Sequence, residues 1–178
     1  MRYYTKPGDI YEVRFEDGKK RYLQYVAKDR TDLNSDVLRI FKSLYPVSET
    51  PSLESIVSDE VDFYTHSSAK LGLQLGCWKK IGNSQETGTL KIRFKQCIDL
   101  DSDKNDVFTS DNWVIWTINE DRVFIGKLPQ DYYHFDKGGV KSPATVADSM
   151  HQCVSQKSFP GSRADGFAPH TVQVVSHG

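Results

Sequence analysis

The feature of this sequence that most constrains its fold is a series of short runs in which apolar and polar side chains alternate. Residues 9–15 and 89–95 show the alternation most clearly. A period of two places successive side chains on opposite faces of an extended strand. Similar runs occupy residues 21–27, 37–41, 61–66, 112–118 and 122–126. We therefore predict a mainly β, possibly α+β, fold: an antiparallel meander or a small SH3-like barrel of about seven or eight strands.

Two segments favour helix, so we expect one or two short helices beside the strands. Leu53, Ile56 and Val57 recur at helical spacing, with Ser52 or Thr50 as the N-cap. Residues 142–157 place Pro143 at the first position of a second helix, where the missing N–H of proline does no harm. We expect residues 1–140 to form a single β-rich domain. Residues 141–178 are predicted to be a helical or loosely ordered C-terminal extension.

The charge and the cysteines narrow the function classes. The chain has 23 Lys and Arg against 24 Asp and Glu, a net charge of −1, without the basic surplus of a nucleic-acid-binding protein. No apolar run approaches the ~20 residues of a membrane span, and residues 1–8 lack the apolar region of a secretion signal. Cys77, Cys97 and Cys153 are an odd number without a CxxC pair, which favours reduced thiols. We therefore predict a cytoplasmic protein with no membrane partner and no cofactor.

The predicted strand over residues 61–66 holds the side chains most suited to chemistry. Asp62, Tyr64 and His66 lie two residues apart and are predicted to share one face. With the aromatic segment 132–135, they form a candidate site for a small-ligand binding domain or a hydrolase. No nucleophile motif accompanies them, so a structural or protein-binding role is favoured over catalysis. None of the five histidines has the spacing of a helical zinc site, and we predict no metal centre.

Two further segments are candidates for binding. Residues 99–106 begin like a calcium loop, but Lys104 and Ser110 stand where that loop needs glycine and glutamate. We predict a solvated loop whose Asp101 and Asp103 are available to a protein partner. The second segment is Trp78 with Lys79 and Lys80, and tryptophan anchors are typical of protein interfaces. Burial of Trp78 in the core fits the sequence equally well.

A nucleic-acid interface is a third alternative. It requires six basic side chains to lie on one common face: Lys70, Lys79, Lys80, Lys91, Arg93 and Lys95. The last three share one side of a predicted strand, but the same pattern is typical of a strand that faces solvent. With the nearly neutral net charge, this alternative is disfavoured.

Three segments, taken in order, resemble one known family. They are KPGDIY at residues 6–11, DVLRIF at 36–41, and VDFYTH at 61–66 continuing to GCWKKIG at 76–82. This combination resembles immunity protein family twenty-six of bacterial polymorphic toxin systems, over residues 5–128. The resemblance implies a cytoplasmic protein that binds a cognate toxin and neutralises it without catalysis. It transfers no catalytic residues, and we predict a contact surface made of Tyr64, His66, Trp78, Lys79, Lys80, Asp101 and Asp103.

Overall fold

The fold consists of two open β-sheets with helices packed against the first. The computed structural model describes residues 3–99 and 110–157, which form ten strands and three α-helices. The first sheet contains β1 (Asp9–Arg14), β2 (Lys19–Asp29), β3 (Ser35–Phe41), β4 (Tyr45–Pro46), β5 (Val61–Ser67) and β6 (Lys79–Asn83). The second contains β7 (Arg93–Cys97), β8 (Trp113–Thr117), β9 (Val123–Gly126) and β10 (Asp136–Lys137). The helices are α1 (Leu53–Val57), α2 (Ala69–Gln74) and α3 (Pro143–Lys157).

The strand order of the described residues gives two open sheets. The first sheet runs β5-β3-β2-β1-β6, with β4 paired to β2, and the second runs β10-β7-β8-β9. Among the described strands the pairing is antiparallel except between β10 and β7, an isolated parallel bridge joins His66 to Val140, and neither sheet closes on itself. The prediction of a mainly β fold is confirmed, whereas the SH3-like barrel is wrong. Ten strands replace the seven or eight expected, because β4 and β10 have only two residues each.

All three helices of the described residues begin where a serine side chain caps the backbone, and for α3 the Thr145 N–H donates to Ser142 Oγ at 3.1 Å. The Ser55 N–H donates to Ser52 Oγ at 3.1 Å, which confirms Ser52 as the cap of α1. Helix α2 was not predicted, and it starts in the same way, with the Leu71 N–H donating to Ser68 Oγ at 3.2 Å. The third helix, α3, lies inside the predicted C-terminal extension and buries Val146 and Met150. The division of the chain near residue 140 stays a prediction, and residues 158–178 lie outside the described part.

Both faces of the first sheet are covered. One face packs against α2 and α3 in a cluster formed by Tyr11, Val13, Leu23, Tyr25, Leu38, Ile40, Ala69, Trp78, Val146 and Met150. The other face packs against the second sheet, in a cluster formed by Val26, Ala27, Val37, Ile92, Phe94, Val114, Trp116 and Ile118. A smaller cluster under α1 contains Ile10, Tyr22, Phe41 and Ile56. Most polar residues of β2 and β3 are therefore buried and need internal partners.

The pattern at residues 89–95 is only partly a strand. β7 begins at Arg93, and Leu90 is exposed to 51 %. Ile92 and Phe94 are buried against the first sheet, so the apolar positions of the alternating pattern do face the core. Of the helices in the described part of the chain, none combines the length and apolar character that a membrane crossing requires.

Candidate functional site

His66 lies in the interior between the two sheets and is inaccessible to solvent. Its side chain is 0 % exposed, and its Nε2 is 3.0 Å from Oδ2 of Asp29 at the end of β2. The imidazole packs on Phe94, at 4.3 Å between ring centroids, and on Trp116, at 6.2 Å. His66 therefore joins β5 to β7 and β8 and is part of the core.

Asp29 is the acceptor at the centre of this network. Its carboxylate also accepts the Trp116 Nε1–H at 3.2 Å and the backbone N–H of Asn119 at 3.3 Å. Burial opposes ionisation, but the hydrogen bonds from His66, Asn119 and Trp116 outweigh it and lower the pKa of Asp29. Burial also lowers the pKa of His66, against the opposing effect of its Asp29 bond. The pair is therefore a carboxylate that accepts the Nε2–H of a neutral imidazole.

This arrangement predicts a loss of stability on mild acidification. Because the folded pKa of His66 lies below the ordinary value, the unfolded chain binds the imidazole proton more readily. His66 then contributes stability that is complete about one pH unit above the ordinary pKa of 6.5 and falls as the pH drops through that value toward the folded pKa, by at most about 1.4 kcal/mol per pH unit. We expect urea unfolding of the wild type to show this fall between about pH 7.5 and 5.

His66→Gln is the matched variant, since a glutamine amide can donate to Asp29 but does not titrate in this range. Its free energy of unfolding should vary less with pH than that of the wild type. Parallel pH curves for the two proteins would show that His66 is not responsible. Asp136 acts in the opposite sense, because burial raises its pKa, but it is present in both proteins and so cancels in the comparison.

The other two members of the predicted face have separate neighbours. Asp62 Oδ2 accepts a hydrogen bond from the Arg21 guanidinium at 2.8 Å. Tyr64 is half-buried, and its backbone N–H donates to Asp136 Oδ2 at 2.8 Å. Asp62 and Tyr64 therefore do not join His66 in one acid–base set, and the predicted convergence of all three with the segment 132–135 is wrong.

Tyr64 alone meets the aromatic segment. A cavity of about 330 Å³ lies where they meet, and we call it the cleft. Its lining includes Tyr64, Lys91, Arg93, His134, Phe135 and Asp136. A second cavity of about 250 Å³ shares Arg93 and Phe135 with it. The Arg93 guanidinium carbon lies 5.7 Å from the Phe135 ring centroid, within cation–π range.

The predicted protein-contact surface is only partly accessible. Trp78 is 4 % exposed, and its Nε1–H donates to the Ala69 carbonyl at 3.0 Å. A Cβ on Gly72 would lie 1.9 Å from the Trp78 ring, so glycine is what allows helix α2 to pack there. For Trp78 and His66 the contact prediction is wrong, because both side chains are buried. For Tyr64, Lys79 and Lys80 it stays a prediction, while Asp101 and Asp103 lie outside the described residues.

The basic residues do not form one face. Lys79 and Lys80 belong to β6 at the edge of the first sheet, and Lys80 Nζ is 2.7 Å from Asp9 Oδ1. Lys95 belongs to the second sheet, is 6 % exposed and donates to the carbonyl oxygens of Tyr132 and Tyr133. A nucleic-acid interface built from all six basic residues is therefore wrong.

The thiols and acidic groups do not point to a metal centre. Cys77 and Cys97 are free thiols, and burial raises the pKa of Cys77, which disfavours its reactive thiolate form. Within residues 3–99 and 110–157, no three His, Cys, Asp or Glu side chains come close enough to hold a metal ion.

A feature that the sequence analysis missed lies at the outer strand of the second sheet. β9 pairs with β8 on one side and ends the sheet on the other. Val123 and Phe124 on this strand are 56 % and 60 % exposed. We call the segment Val123–Gly126 the β9 edge. Its apolar composition was visible in the sequence, but its position at the end of a sheet was not.

Comparison of the chain with protein-family models, with curated proteins and with solved structures found no match.

Proposed function

We propose that this protein binds a cognate bacterial toxin domain and neutralises it without catalysis, and that the β9 edge is the main contact. The observation that carries the proposal is an open, uncharged sheet edge with two neighbouring exposed apolar side chains, Val123 and Phe124. Unpaired N–H and C=O groups at a sheet edge are suited to pair with an extended segment of another chain. The resemblance of residues 5–128 to immunity proteins supports a toxin as the partner.

The other long edge strands differ from β9 in ways that discourage pairing. β6 carries Lys79 and Lys80, and charged side chains, above all lysine, protect an edge. β5 is partly covered, because His66 forms a parallel bridge with Val140 and its carbonyl accepts the Lys141 N–H at 2.9 Å. The β9 edge has neither form of protection among the described residues. It is therefore the edge best suited to a partner strand.

The charges beside the β9 edge favour a basic partner. Glu120 and Asp121 are exposed in the turn that precedes the strand. The neighbouring Arg122 does not neutralise them, because its Nε is 2.6 Å from Asp32 Oδ1. Lys127, exposed directly after the strand, offsets one of these two carboxylates, so the edge combines an apolar contact with one excess negative charge, which favours a positively charged toxin surface.

A growth assay tests this proposal. We expect a toxin domain to be encoded beside this gene, and co-expression of that domain with this protein in a bacterial host should restore growth. The double variant Val123→Asp/Phe124→Asp should lose the protection. It removes the two apolar side chains of the contact and places two carboxylates there, whose burial is unfavourable. We expect the free energy of binding to weaken by about 2 kcal/mol or more. Purified variants would be compared by isothermal titration calorimetry.

Leu75→Asp is the matched control, since Leu75 is also apolar and is 62 % exposed, at the end of α2. It should protect the host as well as the wild type. Equal protection by the wild type and the double variant would exclude the β9 edge. Failure of the wild type to bind or protect would exclude the function itself.

A further inference from the structure

The cleft has the features of a small-ligand site that is separate from the β9 edge. It lies where β5 of the first sheet meets the start of β7 and the segment leading to β10. Its volume of about 330 Å³ is within the range of small-ligand pockets. Its lining combines basic, aromatic and carboxylate groups, so the chemistry of a ligand can be inferred from them.

The cations at the cleft have no carboxylate partner. Lys91 and Arg93 are both exposed, lie two residues apart, and form no ion pair with any described residue. Lys95, the next basic residue along β7, donates hydrogen bonds to the carbonyl oxygens of Tyr132 and Tyr133 and is not available to a ligand. That bond holds the aromatic segment against β7. Lys91 and Arg93 therefore remain available to a ligand, beside the aromatic segment 132–135 that Lys95 holds in place.

The aromatic segment 132–135 is internally packed. Phe135 stacks on Tyr132 at 5.1 Å between ring centroids, and His134 meets the Phe135 ring edge-on at 4.6 Å. Tyr64 faces the same cavity from β5. Phe135 is itself buried, so the rings that a planar ligand can reach are those of Tyr64 and His134, and Phe135 holds His134 in place.

The one carboxylate in the lining is partly occupied. Asp136 accepts the Tyr64 backbone N–H at 2.8 Å, and burial raises its pKa. Its charge is also offset by Lys141 and Lys95 nearby. The accessible charge of the cleft is therefore positive, from Lys91 and Arg93.

We propose that the cleft binds a small planar aromatic anion, with its ring against Tyr64 and His134 and its anionic group against Lys91 and Arg93. A phosphate or a carboxylate group would satisfy the same two cations. The site is independent of the proposed toxin binding, since it uses other residues and another class of ligand.

Isothermal titration calorimetry with defined probes tests the site. AMP and UMP carry a ring and a phosphate, and salicylate carries a ring and a carboxylate. Adenosine has the ring without the charge, and inorganic phosphate has the charge without the ring. We expect saturable binding of AMP and UMP, or of salicylate, about tenfold or more tighter than of adenosine and of inorganic phosphate. Binding of the nucleotides would identify a phosphate ligand, and binding of salicylate alone would identify a carboxylate.

Two charge-removing variants test the residues. Arg93→Gln and Lys91→Gln should each weaken binding about tenfold, whereas Lys79→Gln, an exposed lysine on the first sheet, should leave it unchanged. Lys91 makes no hydrogen bond through its side chain to a described residue, so Lys91→Gln keeps the test valid if Arg93→Gln is unstable. The proposal is overturned if no probe binds saturably, or if Lys91→Gln binds as tightly as the wild type.

Discussion

Replacing Asp29 with alanine is expected to lower the free energy of unfolding by about 3–5 kcal/mol. The substitution leaves the buried Nε2–H of His66 and Nε1–H of Trp116, and the part-buried N–H of Asn119, without their acceptor. A buried donor left without a partner costs about 1–3 kcal/mol. The carboxylate also joins the two sheets, because it sits at the end of β2 and binds β5 and β8. We expect a large shift of the urea midpoint, measured by tryptophan fluorescence and circular dichroism.

Two further variants show whether the network is the cause. Asp121→Ala removes an exposed carboxylate and should change stability by less than about 0.5 kcal/mol. Asp29→Asn keeps one acceptor oxygen but turns an NH₂ group toward the other donors, so it should fall between the wild type and Asp29→Ala. If Asp29→Ala costs less than about 1 kcal/mol, the buried network does not hold the sheets together as described.

Replacing Arg21 with methionine is expected to cost a similar amount, about 3–5 kcal/mol. The Arg21 guanidinium donates to the Phe41 carbonyl at 3.0 and 2.6 Å, to the Met150 carbonyl at 2.8 Å and to Asp62 at 2.8 Å. Methionine retains much of the apolar stem but removes every donor. The Phe41 carbonyl, the Met150 carbonyl and the Asp62 carboxylate would then lose their shared partner in or near the interior.

The effect of Arg21→Met should be largest at helix α3. The bond to the Met150 carbonyl is a polar link between α3 and the first sheet, so backbone amides of α3 should exchange with deuterium faster in the variant. Arg30→Met, which alters an exposed arginine just beyond β2, is the control and should leave both stability and exchange near wild type. Equal exchange at α3 in wild type and Arg21→Met would contradict this account of how the helix is held.

The strands could be predicted from sequence because their apolar residues recur with a period of two. The same pattern gave a wrong prediction of which side chains are exposed, since alternation is typical of a strand with one face in contact with solvent. β2 and β3 are buried on both faces, so Arg21, Gln24 and Arg39 point inward rather than to solvent. Hydrogen bonds between residues far apart in the sequence offset the cost of burying these polar groups, such as the bond from Arg39 Nε to Gln24 Oε1 at 2.8 Å. The local sequence pattern around a residue does not predict such distant partners.

The candidate sites were beyond sequence reasoning for a related reason. Tyr64 and Asp136 meet although they are 72 positions apart, because β10 pairs in parallel with β7 beneath β5. His66 stood out as reactive, but its partner Asp29 lies 37 positions earlier at the end of another strand. β9 was predicted as a strand, whereas its place at the end of a sheet follows only from the strand order. Pairing between distant segments decides which side chains converge and which edges stay open.

The most direct test of the proposed function is hydrogen–deuterium exchange of this protein alone and with its proposed toxin partner. If a toxin strand pairs with the β9 edge, backbone amides within residues 123–126 should exchange about tenfold or more slowly in the complex, while those of β6 should not change. A stable complex in which the β9 amides exchange at their free rate would contradict the proposed contact. Absence of a complex would contradict toxin neutralisation itself.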